Sequence, residues 1–195
     1  MKIHKPLFVI FLVAGVAAIT GCKPSREKSV EQIRSLERRL FSPEAASFDK
    51  VKADSLMTLY QGFVDRFPKD SLTPGFLFRS ANIAMNSGNG LVAVEQFDRY
   101  LTGFPDGSKA PLCMFFKAFV YENVLKNLDK ARETYLLFIE QYPGNAFVKD
   151  AEMALKNLGK TPDQIVREFE EQRKADSIRV ADSVAGLKKA KPKRR

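Results

Sequence analysis

Reactive side chains are scarce in this sequence, and their placement restricts what it can catalyse. The single histidine, His4, lies near the N-terminus, and the only cysteines are Cys22 and Cys113. Ser-His-Asp and Cys-His nucleophilic sites need an imidazole beside the nucleophile, and histidine metal sites need several. One terminal histidine supplies neither. No HExxH, CxxC or GxxxxGK[ST] pattern occurs. The glycine-rich stretch 87–90 (SGNG) follows an expected helix rather than a strand, so it reads as a turn and not as a phosphate cradle. Cys113 sits in the apolar run PLCMFF, with no basic residue before Lys117. Such surroundings keep a thiol protonated, so a core cysteine is expected. The sequence therefore offers no catalytic residue, no metal ligands and no cofactor site, and the function to look for is binding rather than catalysis.

The N-terminus carries a different kind of chemistry. Lys2 and Lys5 precede an apolar run, LFVIFLVAGVAAI, from Leu7 to Ile19. A membrane-spanning helix needs about 20 apolar residues, so this run is short for a span and fits the apolar region of a secretory signal. The run ends in Ile19-Thr20-Gly21-Cys22, which resembles a bacterial lipobox. The resemblance implies cleavage before Cys22, removal of residues 1–21, and covalent lipid (acyl chains such as palmitate) on Cys22. Several acyl chains on one residue give stable membrane attachment. Lys23, not Asp, follows the cysteine; in Gram-negative lipoproteins that resembles sorting to the outer membrane. Lipidation would leave Cys113 as the one free thiol, with no intramolecular disulfide.

The elements that fill the rest of the chain repeat. LMTLYQGFVDRFP (Leu56–Pro68), AVEQFDRYLTGFP (Ala93–Pro105) and ARETYLLFIEQYP (Ala131–Pro143) superimpose without a gap, with starts at 56, 93 and 131. Each opens on an apolar residue (Leu56, Ala93, Ala131). Each has aromatics four and seven positions on (Tyr60 and Phe63, Phe97 and Tyr100, Tyr135 and Phe138), then a third aromatic and a proline (Pro68, Pro105, Pro143). These offsets place one stripe on a helix, which the proline then ends. Between them lie stretches whose apolar members are expected to share a face. They are Phe76, Leu77, Ala81, Ala84 and Met85; Leu112, Phe115, Phe116, Phe119 and Val120; and Phe147, Ala151, Ala154, Leu155 and Leu158. Thr73-Pro74 and Thr161-Pro162 read as N-caps followed by proline, and Asn89 and Asn127 as further caps. One helix pair cannot bury its apolar face alone, so pairs of this kind must stack.

The unit resembles the tetratricopeptide repeat. The A-x3-[FY]…P half matches at Ala93/Phe97/Pro105 and Ala131/Tyr135/Pro143, with Leu56 replacing alanine in the first copy. In the first-helix half Ala81 takes the family's small-residue position and bulky Phe119 is expected there in the next copy. The family's tryptophan is absent, and the units are three or four residues longer than usual. In this they look like those of envelope lipoproteins with divergent repeats, including the one of the outer-membrane barrel-assembly machinery. The resemblance implies an all-α superhelix of stacked helix pairs, with first helices lining a groove that takes a peptide or a helix of another protein. By the repeat register the groove candidates are Phe78, Asn82, Met85 and Asn86, then Phe116, Val120 and Asn123. Asparagine amides suit an extended backbone, and Phe and Met suit apolar pockets; Phe78 stands where the family's carboxylate clamp would have a lysine.

Charge divides the chain into regions. Residues 22–41 carry 6 basic and 3 acidic side chains, residues 42–159 carry 13 and 14, and residues 160–195 carry 11 and 6. The near-neutral middle argues against a nucleic-acid interface on the folded body. Four segments are expected: a signal peptide, 1–21; a lipid-anchored tether with a short amphipathic helix, 22–41; a repeat domain, 42–173; and a basic tail, 174–195, read as a frayed helix followed by disorder. In the tether Val30, Ile33, Leu36 and Leu40 share a helical face that either packs on the first repeat or lies on the membrane. Ile165, Val166 and Phe169 are expected to dock as an end cap. The expected role is a lipid-anchored adaptor on the periplasmic side of a bacterial envelope, holding another envelope protein and accessory to outer-membrane protein assembly. The alternative is an envelope-coordinating protein whose basic tail binds a polyanionic polymer or surface.

Overall fold

A computed structural model describes residues 24–42 and 49–189, and the described residues form eight α-helices. The expected signal peptide, 1–21, and the expected lipidation site Cys22 lie outside the described residues. The helices are α1 (Arg26–Leu40), α2 (Lys50–Arg66), α3 (Thr73–Asn86), α4 (Gly90–Gly103), α5 (Ala110–Asn123), α6 (Leu128–Gln141), α7 (Val148–Asn157) and α8 (Pro162–Lys189).

From α1 to α7 each helix packs chiefly on its immediate neighbours in the chain. That pattern belongs to an open stack of helix pairs, not to a bundle closed around one axis. The pairs are α1/α2, α3/α4 and α5/α6. First helices also meet across pairs: Arg79 of α3 donates to Glu37 of α1 at 2.6 Å, and the rings of Phe78 (α3) and Phe116 (α5) lie 6.4 Å apart. Second helices meet likewise, through Arg99 of α4 and Asp65 of α2 at 2.6 Å. Two layers result, one of first helices and one of second helices, in a generic helical-repeat arrangement.

The repeated aromatics are the core. Leu56, Tyr60, Phe63, Ala93, Phe97, Ala131 and Phe138 are fully buried, with Tyr100 and Tyr135 nearly so. Burying one such ring stabilises by about 1.5–3 kcal/mol. Phe76 of α3 wedges between Tyr60 and Phe63, with centroids 5.1 and 4.9 Å away. Phe115 of α5 meets Tyr135 and Phe138 at 5.8 and 5.6 Å. Helix α5 is buried on two sides, which explains its apolar composition. Ala110, Cys113 and Val120 face the core shared with α1–α4, while Met114 and Ala118 face α6 and α7. The single stripe expected for α5 is therefore wrong: Phe119 is 40% exposed.

Three connectors repeat as closely as the helices do. Phe67, Phe104 and Tyr142 end α2, α4 and α6 with φ/ψ of −127/56°, −141/59° and −129/53°, because proline after each one disfavours the helical region. Each carbonyl then accepts the N–H three residues on: Asp70 (3.0 Å), Gly107 (3.0 Å) and Asn145 (2.9 Å). Thr73, expected as a cap, is instead the first residue of α3, and its hydroxyl donates back to the Phe67 carbonyl at 2.6 Å. Asn127 and Thr161 do cap. Asn127 accepts from the Lys130 N–H, and Thr161 and Gln164 satisfy each other's N–H groups.

The connectors fix a register the sequence alone misplaced. Thr73 and Ala110 occupy the same connector position, so Ala118, not Phe119, corresponds to Ala81, and both alanines are fully buried. The one-residue difference arises in the turn after α5, where one more residue separates the two helices than after α3.

The ends also differ from expectation. Helix α1 is no part of a tether: Val30, Ile33, Leu36 and Leu40 are buried against α2, so the packed alternative holds. Helix α8 does not cap the stack. Val166 and Phe169 are 55% and 61% exposed, and Ile165 alone is half-buried. Residues 174–189 continue the same helix, and 190–195 lie outside the described residues. The short α7 and the Gly159 turn (φ +81°) carry the chain out before α8 can fold back onto a full-length partner. No helix of the described residues is long and apolar enough to cross a membrane.

Candidate functional site

The first-helix layer gathers most of the expected groove residues. On α3, Phe78, Asn82, Met85 and Asn86 fall on successive turns of one side. Phe78 is half-buried, with the Lys109 ammonium 4.6 Å from its ring centre and Phe116 beside it. Asn82 is half-buried and donates to the Phe78 carbonyl at 2.7 Å, so one amide hydrogen is already used within the helix. Met85 leans on the core, and Asn86 is exposed. On α5, Asn123 is exposed and donates to the Phe119 carbonyl at 3.3 Å. Val120 does not belong to this face: it is fully buried in the core, a correction that follows from the two-sided burial of α5. By register Phe119 stands where Asn82 stands one unit earlier. The face therefore presents Phe119, half-exposed Phe116, Asn86 and Asn123. Sequence reasoning gave Phe119 to the core because a one-residue slip moves a helical side chain by about 100°.

Charged and polar links between helices set the shape of this layer. Glu37 accepts from the Tyr60 hydroxyl at 2.5 Å and from Arg79, joining α1, α2 and α3. Glu122 of α5 accepts from the Tyr135 hydroxyl of α6 at 2.9 Å. Burial, reinforced by these carboxylates, holds both tyrosines well above the usual phenol range. In the middle pair Phe97 replaces the tyrosine and Met85 takes the register position of Glu122, so an apolar couple substitutes for the polar one.

A second cleft, unforeseen from sequence, is lined by Leu101, Met114, Lys117, Tyr121, Lys130 and Thr134. Two ammonium groups flank the Tyr121 ring at 5.9 and 5.5 Å, and Lys117 is paired with Asp98 at 2.6 Å. The signal for it was a lysine within an otherwise apolar helix. Cys113 is fully buried, and burial pushes its thiol up to about 12, which keeps it protonated at neutral pH. Among the described residues no group of three or more His, Cys, Asp or Glu side chains is placed to hold a metal ion.

Among the described residues, the first-helix layer presents exposed amides and partly exposed rings side by side. Compared with protein-family models and with curated proteins, the chain matches none.

Proposed function

We propose that this chain is a lipid-anchored adaptor with tetratricopeptide-like repeats that holds another protein of the bacterial envelope against its first-helix layer. The supporting observation is the open stack itself. Successive first helices line up side by side and present Asn86, Phe119 and Asn123 to solvent, with Phe78 and Phe116 half-covered between them. Exposed amides beside partly exposed rings suit an extended segment or a helix of a partner. The lipobox-like Ile19–Cys22 supports a membrane setting for this surface, and the proposed setting is the outer membrane and its protein-assembly machinery.

Photo-crosslinking in cells tests it. A crosslinking residue at Asn86 or Asn123 is expected to trap a protein partner, while one at the exposed Arg132 or Glu140 of α6 is not. Equal trapping from both layers, or trapping from α6 alone, overturns the groove. The projecting α8 favours the second reading, in which the basic end binds a polyanion. A variant ending at Lys174 that loses all adducts at Asn86 and Asn123 decides for it.

A further inference from the structure

From Pro24 onward the chain is clamped to the body. Arg66, at the end of α2, donates through Nε to its own helix at the Gly62 carbonyl (2.8 Å). Its Nη1 donates to the Pro24 carbonyl and its Nη2 to the Ser29 hydroxyl, both at 2.9 Å. Ser29 is nearly fully buried and donates to the Ser25 carbonyl at 2.8 Å. Arg26 makes a two-pronged pair with Asp70 of the first connector, 2.5 Å from Nε and 3.1 Å from Nη2. Pro24, Arg26 and Ser29 are thus held by Arg66 and Asp70 at one edge of the stack.

Covalent reach then sets a distance. Only Lys23 separates Cys22 from Pro24, so their Cα atoms are at most about 7 Å apart. That is comparable to the thickness of one headgroup layer, roughly 5–7 Å. A lipid on Cys22 cannot sit far from the clamped edge, nor can the body swing on it as on a long tether.

We infer that the edge formed by the connectors 67–73, 104–110 and 142–148 lies against the phospholipid headgroups, with the helices standing away from the membrane. The inference rests on the lipid-anchor reading of Cys22. All three connectors share this edge, because each follows the C-terminal end of a second helix with the same turn geometry. Their exposed side chains include Lys69, Ser71, Ser108 and Lys109, with Asp106 as an exposed acid, while Asp70 is neutralised by Arg26. The turns at 87–89 and 124–127 lie a helix length away, about 20 Å. In this posture the first-helix layer stands edge-on to the bilayer, open to a partner approaching along the surface.

The test uses the full protein, lipidated in cells and reconstituted into vesicles of phosphatidylethanolamine and phosphatidylglycerol carrying a headgroup nitroxide. A fluorophore is placed at the connector edge (Ser71→Cys, Ser108→Cys) or at the turn edge (Asn89→Cys, Asn123→Cys). Buried Cys113 does not compete for the label. Quenching is expected to be at least about twofold stronger at the connector edge, given the roughly 20 Å between the edges. A flexible Gly-Ser linker of about 20 Å reach between Lys23 and Pro24 is expected to abolish that difference. Equal quenching at both edges, or stronger quenching at the turn edge, overturns the orientation while attachment persists, and a connector-edge excess that survives the linker overturns the short clamp as its cause. A Cys22→Ser variant that still floats with the vesicles overturns the anchor itself, and the orientation with it.

Discussion

In the connector after α2, the N–H of Leu72 is met by Asp70 of the same turn, at 2.9 Å. In the connector after α6, Asn145 does the same for Phe147 at 3.0 Å. The connector after α4 has glycine at that place, and the matching N–H, on Lys109, donates to the Tyr100 hydroxyl at 3.3 Å, from inside the preceding helix. Tyr100 is the one tyrosine at its repeat position; Phe63 and Phe138 hold it in the other copies. A Cβ on Gly107 would stand 2.6 Å from that hydroxyl and 3.0 Å from the Phe104 carbonyl. One backbone shape is therefore kept by two interchangeable means, Phe with Asp or Asn, and Tyr with Gly. Divergent repeats conserve a hydrogen bond, not the residue that makes it.

The largest effect should come from forcing one solution onto the other. Gly107→Asn adds a side chain where Tyr100 already sits and should destabilise by about 2–3 kcal/mol, the scale of overpacking a filled site. In a Tyr100→Phe background the same substitution should cost much less, since the asparagine then takes over the Lys109 N–H. A double-mutant cycle by urea denaturation reads this coupling, and additive effects would show that the two residues do not share one task. Next in size, Asp70→Ala should lower the unfolding midpoint more than Asn145→Ala does, because Asp70 also holds Arg26 and with it the start of α1.

Acid should sharpen the contrast. The Arg26 hydrogen bond and the Leu72 N–H hold the Asp70 carboxyl below the usual carboxylate range. A carboxylate depressed in the folded state contributes stability that is complete above its unfolded pKa, about 3.9, and is lost as pH falls through the lower folded value. Thermal unfolding against pH should therefore drop below about pH 4 in the native chain, with a shallower drop in Asp70→Asn. Asp49, the N-cap of α2, is depressed likewise by the Lys52 N–H and keeps part of the slope. Tyr100→Phe alone should cost about 1 kcal/mol, one hydrogen bond. Smallest is the turn pair Gly88 and Lys126, which both adopt positive φ, +76° and +54°. Lys126→Gly relieves a left-handed lysine at some cost in chain entropy, so a net gain within about 0.5 kcal/mol is expected by denaturant titration.

The helices were largely legible before any coordinates, and the binding face only in part. Apolar offsets along one helix are a local property, so Leu56, Tyr60 and Phe63 and their repeats announce a buried stripe wherever the partner lies. A proline after an aromatic ends a helix by sterics confined to neighbouring residues. What covers a stripe is not local. The sequence of α5 is apolar nearly all round, and only neighbours on both sides show that Val120 is core while Phe119 reaches solvent. The apolar residues at the start of α8 promised an end cap, but docking them requires a full-length partner, and α7 stops too early to supply one.

The residues alone thus determined the repeating helix with its aromatic stripe and proline stop, and the expectation of a lipid on Cys22. Tertiary structure decided the register of the first helices, the joining of α1 to the body and the clamp of Arg66 and Asp70 on Pro24, Arg26 and Ser29. The division has a physical cause: backbone sterics and side-chain periodicity act over a few residues and are written in order along the chain. Hydrogen bonds such as Lys109 N–H to the Tyr100 hydroxyl, at 3.3 Å, or Arg26 to Asp70, at 3.1 Å, depend on which surfaces the packed stack brings together.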